Sequence, residues 1–213
     1  MPRDHVTLRR ALVAAARSMN GLGINQGSSG NVSVRAGRGF LITPTALPYD
    51  ATTPDDIVAM DLDGSHRGAR RPSSEWRFHR DIYAERPDAG AVVHTHAVHA
   101  TALACLRKPI PRFHYMVALA GGEDIRCAPY ATYGTQELSD HALAALKGRK
   151  ACLLANHGMI ALGPNLDAAL ALAVEVETLA HQYLLALQSG APKLLTRAQM
   201  AQALEKFADY RPG

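Results

Sequence analysis

The chain has 213 residues, of which 47% are hydrophobic and 20% are charged, and its formal net charge is +4 at pH 7. This length and composition predict one globular domain over residues 1–213, and they exclude a mainly disordered chain. No uninterrupted apolar stretch reaches the roughly 18 residues that a membrane span needs, and the basic residues lack the interleaved aromatics of a nucleic-acid-binding surface, so we expect neither partner.

Hydrophobic periodicity and turn residues predict alternating helices and strands along the chain. A first helix ends near Gly21 or Gly23, a hairpin follows within GSSGNVSVRAGRGFLITPT, and residues 56–64 contain another strand. A short helix covers residues 73–87, with a serine cap and a stop at Pro87. Further strands are predicted in AVVHTHA, DIRCAPY and KACLLANHGMIALG, and further helices in HATALACLR, GTQELSDHALAALKGR, NLDAALALAVEVETLAHQYLLALQSG and residues 196–208. This pattern, without a regular βαβ count, predicts an α/β fold with a central, partly antiparallel sheet covered by helices on both sides.

The segment AVVHTHAVHA, residues 91–100, places three histidines within six positions. In a strand, residues i and i+2 point to the same face, so His94 and His96 can converge on one metal ion. His99 lies beyond the predicted end of the strand, and we expect it to have a structural role at the start of the next helix. Paired core or surface histidines are the alternative interpretation of such an HxH pattern.

Two residues elsewhere in the sequence strengthen the metal hypothesis. His157 ends an apolar strand directly before Gly158, at a turn position of the kind where sites are commonly built. Glu75 begins a predicted helix, where it is a capping carboxylate, a metal ligand or a base. A pair of Glu75 with His79, four residues apart on one helix face, is a competing arrangement that is more typical of a surface ion pair. Three histidines and a carboxylate without cysteine suit Zn²⁺ best.

Small and hydroxyl-bearing residues upstream of the histidines suggest a site for an anion. Ser73 and Ser74 lie at a predicted helix N-terminus, where free N–H groups and the helix dipole favour negative charge. Asn31 and Thr45 could add side-chain donors. Each segment alone is an ordinary turn or cap, but together they predict a phosphate cradle without a Walker motif. The segments are SSGNVS, TPTALP and PSSEW.

Several segments resemble, in their order and spacing, those of the class II aldolase/adducin family. The resemblance covers residues 5–210, and it implies a three-layer α/β/α fold whose central sheet is largely antiparallel. It also implies a C4 homotetramer with active sites between neighbouring subunits. The segments are GNVSVR, FLITPTALPYD, PSSEWRFHRDIYAERPDAGAVVHTHAVHATA, HYMVALAGG, CAPYATYGT and NHGMIALG.

The resemblance also implies roles for individual residues. It places the ligands of one Zn²⁺ per subunit on His94, His96 and His157, with Glu75 as an exchangeable fourth ligand and catalytic base. It makes Tyr115, supplied by the adjacent subunit, a catalytic residue on the aldehyde side. The implied phosphate-binding positions are Gly30, Asn31, Thr45, Ala46, Ser73 and Ser74, and the implied aldehyde-pocket positions are Tyr133 and Tyr210.

The activity implied by the resemblance is zinc-dependent, reversible retro-aldol cleavage of a ketose 1-phosphate. The favoured substrate is L-fuculose 1-phosphate, which gives dihydroxyacetone phosphate and L-lactaldehyde. The alternatives are another ketose 1-phosphate such as a 5-deoxypentulose 1-phosphate, a sugar-phosphate epimerase or dehydratase, and a non-enzymatic adducin-like module. Epimerases of the family have aspartate at the position of Glu75, and adducin-like modules lack the metal histidines, so these residues favour an aldolase. Three widely spaced cysteines, without a disulfide or CxxC pattern, favour the cytoplasm.

Three positions depart from the pattern of the family members that the chain resembles most. Ala46 stands where they have glycine, which adds a methyl group beside the phosphate. Tyr133 stands where they have phenylalanine, in the aldehyde pocket. Asn156 replaces a histidine before His157, but adjacent side chains of a strand point to opposite faces, so the ligand set is retained.

Overall fold

The computed structural model describes residues 5–209, so the predicted aldehyde-pocket residue Tyr210 lies outside the described residues. The helices are α1 (Val6–Gly21), α2 (Trp76–Glu85), α3 (Val98–Cys105), α4 (Gln136–Leu146), α5 (Leu166–Ser189) and α6 (Arg197–Asp209). The strands are β1 (Asn31–Ala36), β2 (Gly39–Ile42), β3 (Val58–Met60), β4 (His66–Arg67), β5 (Ala91–Thr95), β6 (Arg126–Ala128), β7 (Ala151–Leu154) and β8 (Gly158–Gly163). Two short 3₁₀ helices cover Pro54–Asp56 and Tyr115–Ala120.

The eight strands within residues 5–209 form one sheet in the order β4-β3-β2-β1-β5-β8-β7-β6. Every neighbouring pair is antiparallel except β6 with β7, which is parallel. The prediction of an α/β fold with a largely antiparallel central sheet is therefore confirmed. The order also brings β1, β5 and β8 together in the middle of the sheet, although they are far apart in sequence.

Each face of the sheet carries its own hydrophobic core. Successive residues of a strand point to opposite faces, so on β5 Val93 packs in one core and Val92 in the other. Helices α1, α3 and α5 cover the face of Val93, and helices α2 and α4 cover the face of Val92. Helices therefore flank the sheet on both sides, as predicted.

The predicted helix caps are only partly confirmed. Thr135 accepts a hydrogen bond from the N–H of Leu138 at the start of α4, and Asn165 accepts one from the N–H of Ala168 at the start of α5. The predicted serine cap of α2 is wrong, because Glu75 occupies the N-cap position. The 3₁₀ helices and the two-residue β4 were not predicted, because elements this short show no hydrophobic period.

Among the helices within residues 5–209, only α5 is long and apolar enough to cross a membrane. Its buried residues form a stripe that packs against β5, β8 and α3. Glu175 and Glu177 interrupt its apolar sequence. The Glu177 carboxylate accepts hydrogen bonds from backbone N–H groups at the start of α3. These contacts are those of a core helix in a globular domain.

The end of β8 lies so close to the start of α5 that only a glycine fits there. A Cβ atom at Gly163 would lie 2.3 Å from the backbone nitrogen of Ala169. We expect Gly163→Ala to lower the free energy of unfolding by about 2 kcal/mol, since overpacking costs roughly 1–3 kcal/mol, and to lower Tm by about 4–8 °C. Thermal and urea denaturation measure this effect. Gly21→Ala is the matched control, because no atom lies within 4 Å of its added Cβ, and an equal loss of stability in both variants would contradict the expectation.

Candidate metal and active site

Three histidine side chains converge at the centre of the sheet. His94 belongs to β5, His96 follows that strand, and His157 lies in the turn between β7 and β8. The antiparallel pairing of β5 with β8 places these segments side by side, with Thr95 opposite Met159. One ligand atom from each of the three rings lies within 4.8 Å of the other two. Within the described part of the chain, no other group of three His, Cys, Asp or Glu residues has this arrangement.

The N-cap residue of α2, Glu75, brings a carboxylate to these histidines. Its Oε2 lies 3.1 Å from His94 Nε2, and its Oε1 lies 3.2 Å from His157 Nε2. Asn31 Nδ2 donates a hydrogen bond of 3.0 Å to Oε2, whereas the buried Oε1 has no hydrogen-bond partner among the described residues. Burial raises the pKa of Glu75, but His94, His157 and Asn31 together lower it by more than burial raises it. The carboxylate is therefore ionised at neutral pH.

The protonation of the imidazoles suits a metal ion. Burial lowers the pKa of His96 and of His157 to about 4, so both rings are neutral at pH 7 and have a free lone pair. His94 Nδ1 lies 2.9 Å from the carbonyl oxygen of Met159. Because a carbonyl only accepts, Nδ1 bears the hydrogen and Nε2 faces the other ligands. Burial lowers the pKa of His94, but the neighbouring Glu75 carboxylate raises it by more, so positive charge at Nε2 is favoured. A metal ion bound at Nε2 would place positive charge at the same position.

The donor set fits a divalent cation. It combines three imidazole nitrogens with one buried carboxylate, of which one oxygen accepts no hydrogen bond in the described structure. A nitrogen-rich set without thiolate matches the preferences of Zn²⁺ and of other borderline divalent ions. The geometry therefore supports a metal centre formed by these four side chains.

A pocket of about 320 Å³ opens directly beside these ligands. Glu75, His96 and His157 line its inner part, and Tyr130 and Tyr133 are 52% and 67% exposed at its rim. Sequence reasoning placed Tyr133 there but missed Tyr130, although both belong to the segment CAPYATYGT between β6 and α4. The other lining residues are Ser29, Ser74, Ala131 and Asn156.

A second, larger cavity of about 510 Å³ lies between the start of α1 and strands β2 and β3. Arginine and aspartate side chains line it together with apolar residues, and the convergent histidines are on a different part of the sheet. Its lining offers no group of three metal-ligating side chains within residues 5–209. We therefore place the candidate site at the smaller pocket.

Two of the predicted phosphate-binding segments lie next to each other. The N–H of Ser73 donates to the carbonyl of Thr43, and the N–H of Thr45 donates to the carbonyl of Arg71. Thr45, Ala46 and Ser74 are exposed, whereas Ser73 is buried and its hydroxyl accepts from the N–H of Glu75. Ala46 has a left-handed backbone, with φ of 55°, which glycine adopts more readily.

The other two predicted phosphate-binding residues lie closer to the histidines. Gly30 leaves no room for a side chain, because a Cβ there would lie 2.4 Å from the carbonyl oxygen of His94. Asn31 is 3% exposed, and its side chain contacts Glu75 and His79. Its amide therefore supports the carboxylate, and a role of both residues in phosphate binding stays a prediction.

The remaining predicted residues are placed outside the pocket. Tyr115 begins a 3₁₀ helix, is 52% exposed and stacks against His114. His99 lies at the start of α3, where its Nδ1 is 2.7 Å from Glu177 Oε1, so it has the structural position that we expected. The competing pair of Glu75 with His79 as a surface ion pair is wrong, because the His79 ring is fully buried and faces Asn31 and Ser33.

Solved structures share this architecture. An L-fuculose 1-phosphate aldolase superimposes with a TM-score of 0.93 at 41% identity, covering 95% of this chain and 96% of that one. YgbL from Escherichia coli, described as a putative aldolase/epimerase/decarboxylase, matches with a TM-score of 0.85 at 28% identity, covering 93% and 98%.

Sequence relatives extend over nearly the whole chain. A 5-methylthioribulose-1-phosphate/5-deoxyribulose-1-phosphate aldolase of Rhodospirillum rubrum is 60% identical over 210 residues, which are 99% of this chain and 95% of the relative. An L-fuculose phosphate aldolase of Escherichia coli K12 is 53% identical over 204 residues, or 95% of each protein. The family described as Class II Aldolase and Adducin N-terminal domain matches residues 10–184. The resemblance seen in the sequence is thereby confirmed, and the chain is a class II aldolase of this family.

Proposed function

We propose that this chain is a zinc-dependent aldolase that reversibly cleaves a ketose 1-phosphate between C3 and C4. The observation that carries the proposal is the convergence of three histidine side chains with the buried, ionised Glu75 beside an open pocket. Cleavage leaves negative charge on the C2–C3 fragment, and a Zn²⁺ held by these residues would supply Lewis-acid stabilisation of that charge.

Glu75 is the residue suited to proton transfer at the C3 side of the substrate. It lines the pocket, it is ionised, and its Oε1 accepts no hydrogen bond in the described structure, so no donor occupies the lone pairs that would take the proton. A carboxylate that is partly shielded from water and within reach of the substrate is an effective general base. This role agrees with the sequence analysis, in which glutamate rather than aspartate at this position favours an aldolase over an epimerase.

The paired segments around Thr45 and Ser74 are suited to hold the phosphate. Their side chains are exposed, and they flank the N-terminus of α2, where backbone N–H groups and the helix dipole attract an anion. Anchoring the phosphate would orient C3 and C4 at Glu75, which lowers the entropic cost of reaching the transition state.

A neighbouring subunit is the proposed source of the tyrosine at the aldehyde side. Tyr115 is half exposed and lies outside the pocket formed by its own chain, which fits a residue that acts in an adjacent site. We accordingly propose a cytoplasmic C4 homotetramer with its sites between subunits. Size-exclusion chromatography with light scattering measures the assembly, and an active monomer would overturn it.

The substrate is proposed to end in an apolar group. L-fuculose 1-phosphate releases L-lactaldehyde, and 5-deoxyribulose 1-phosphate releases acetaldehyde, with dihydroxyacetone phosphate as the common product. The aromatic rim formed by Tyr130 and Tyr133 suits the terminal methyl group of either substrate. We take L-fuculose 1-phosphate as the first candidate, and the relative with 60% identity supports the deoxypentulose phosphates as the second.

A substrate panel tests the proposal. Zinc-loaded protein is expected to release dihydroxyacetone phosphate from L-fuculose 1-phosphate or from 5-deoxyribulose 1-phosphate, and a chelator is expected to abolish the release until Zn²⁺ is restored. A coupled assay for triose phosphate measures the rate for each ketose 1-phosphate. Isomerised or dehydrated product without cleavage would favour an epimerase or dehydratase, and no triose phosphate from any substrate would overturn the proposal.

The role of Glu75 is tested by Glu75→Gln, which keeps the shape of the side chain but removes its charge. We expect kcat to fall by at least about 100-fold, since general acid–base catalysis contributes roughly 10²–10⁴-fold. Metal content is expected to remain measurable, because the three histidines are intact. Steady-state kinetics and elemental analysis check this, and a variant with full activity would show that the base is another group.

The assignment of the metal ligands can be tested by substitution, with a non-ligand histidine of the same sequence motif as the control. His96→Ala removes one of the three convergent nitrogens, and we expect it to weaken zinc binding more than about 100-fold, beyond the 10–100-fold cost of losing an outer-shell partner. His99→Ala is the matched control, because His99 contacts Glu177 and not the ligand group. Isothermal titration with Zn²⁺ measures both affinities. Equal losses in both variants would contradict the assignment.

A further inference from the structure

A continuous chain of buried hydrogen bonds runs from Glu75 into the protein interior. Its members, called here the His79 network, are Asn31, His79, Ser33 and Tyr83, and each is at most 3% exposed. Asn31 Nδ2 lies 3.0 Å from Glu75 Oε2, and Asn31 Oδ1 contacts His79 Nε2. Ser33 Oγ lies 2.7 Å from His79 Nδ1 and 2.8 Å from the Tyr83 hydroxyl. Four consecutive hydrogen bonds therefore connect the site carboxylate to a tyrosine in the core behind it.

The hydrogen-bond directions are determined from the Glu75 end of the network. Asn31 places its amide nitrogen, which only donates, 3.0 Å from Glu75 Oε2. Its amide oxygen then faces His79, and this oxygen also only accepts. His79 Nε2 must therefore carry the ring hydrogen and donate it to Asn31.

The same reasoning continues to the far end. Burial lowers the pKa of His79 to about 3, so the ring is neutral and its second nitrogen, Nδ1, is an acceptor. Ser33 donates its single hydroxyl hydrogen to Nδ1, and its oxygen accepts from the hydroxyl of Tyr83. Burial raises the pKa of Tyr83, so that hydroxyl keeps its proton. Every donor in the network thus points toward Glu75, and no second arrangement satisfies all the groups.

We propose that His79 is a positioning residue for Glu75, which acts through the side-chain amide of Asn31. A rotation of that amide by 180° would place its oxygen against the carboxylate, where two acceptors repel each other. The N–H of His79 prevents this rotation because it binds the amide oxygen. Glu75 Oε2 is thereby held in place by Asn31. Oε1, which accepts no hydrogen bond, remains available for the proton transfer of the proposed aldolase reaction, on which this inference rests.

None of the four network residues is among those that line the pocket. His79 therefore influences the substrate only through Asn31 and Glu75. A change at His79 should accordingly alter kcat and leave substrate binding nearly unchanged. Outer-shell groups of this kind commonly contribute 10–100-fold to activity.

The hydrogen positions are tested first, on the wild-type protein and without any assay. Neutron diffraction from deuterated crystals at neutral pH is expected to show deuterium on His79 Nε2 and none on Nδ1. It is also expected to show the amide deuterons of Asn31 directed at Glu75. Deuterium on Nδ1, or an Asn31 amide in the opposite orientation, would overturn the inference whatever the enzyme's substrate is.

Kinetics of two His79 variants test the consequence. His79→Phe keeps an aromatic ring but removes the donor, and we expect kcat to fall by about 10–100-fold with KM nearly unchanged. His79→Gln can still donate an amide hydrogen to Asn31, and it is expected to recover most of the lost kcat. A folded His79→Phe with wild-type kcat, or a His79→Gln no better than His79→Phe, would contradict the positioning role.

A control for lost packing is available on the same side of the sheet. Leu146 of α4 is 1% exposed in the same hydrophobic core as α2, and its apolar side chain takes no part in the hydrogen bonds of the network. Leu146→Ala is expected to lower Tm but to keep the wild-type kcat, and a matching loss of kcat would attribute the His79 effect to stability alone. Should His79→Phe not fold, the neutron experiment decides the inference. Should wild-type protein cleave no ketose phosphate, the proposed function fails while the hydrogen positions are still tested.

Discussion

The burial of an ionised carboxylate among three imidazoles is the constraint on which the rest of the site depends. A charge that is removed from water costs several kcal/mol unless partners compensate it, and Glu75 is 5% exposed. Its partners come from β1, from β5 and from the turn before β8. The strand order of the sheet therefore supplies the contacts that offset the free-energy cost of burying this charge. A group held at such a cost at the edge of a pocket is suited to bind a cation and to transfer protons.

Close packing of the backbone brings these partners within reach. A Cβ on Gly30 would collide with the carbonyl oxygen of His94, and a Cβ on Gly158 would lie 2.4 Å from the carbonyl oxygen of Thr95. Glycine at both positions lets β1 and β8 approach the strand that carries the histidines. The same principle operates at Gly163, where α5 begins against the sheet. The site is therefore built on strands whose spacing permits no larger residue at these two positions.

The two halves of the pocket suit different parts of the proposed substrates. Under the proposed function, the inner half, with its histidines, Glu75 and the segment before α2, would face the part of a ketose 1-phosphate that the proposed substrates share. The outer half is formed by Tyr130 and Tyr133, which lie on a loop where exchange of a side chain disturbs no strand. Substrate choice can therefore change at the rim while the chemistry at the centre stays the same.

The sequence by itself determined the features that depend on local periodicity and chemistry. The two-residue repeat of AVVHTHA placed His94 and His96 together, and the caps at Thr135 and Asn165 marked two helix starts. Only the tertiary structure decided which distant groups meet. It turned Asn31 toward Glu75, buried His79 behind it, made Glu75 and not a serine the cap of α2, and brought Tyr130 to the rim. The physical reason is that local pattern specifies which face of an element is apolar, whereas the partner of a buried polar group depends on strand order, which no short segment encodes.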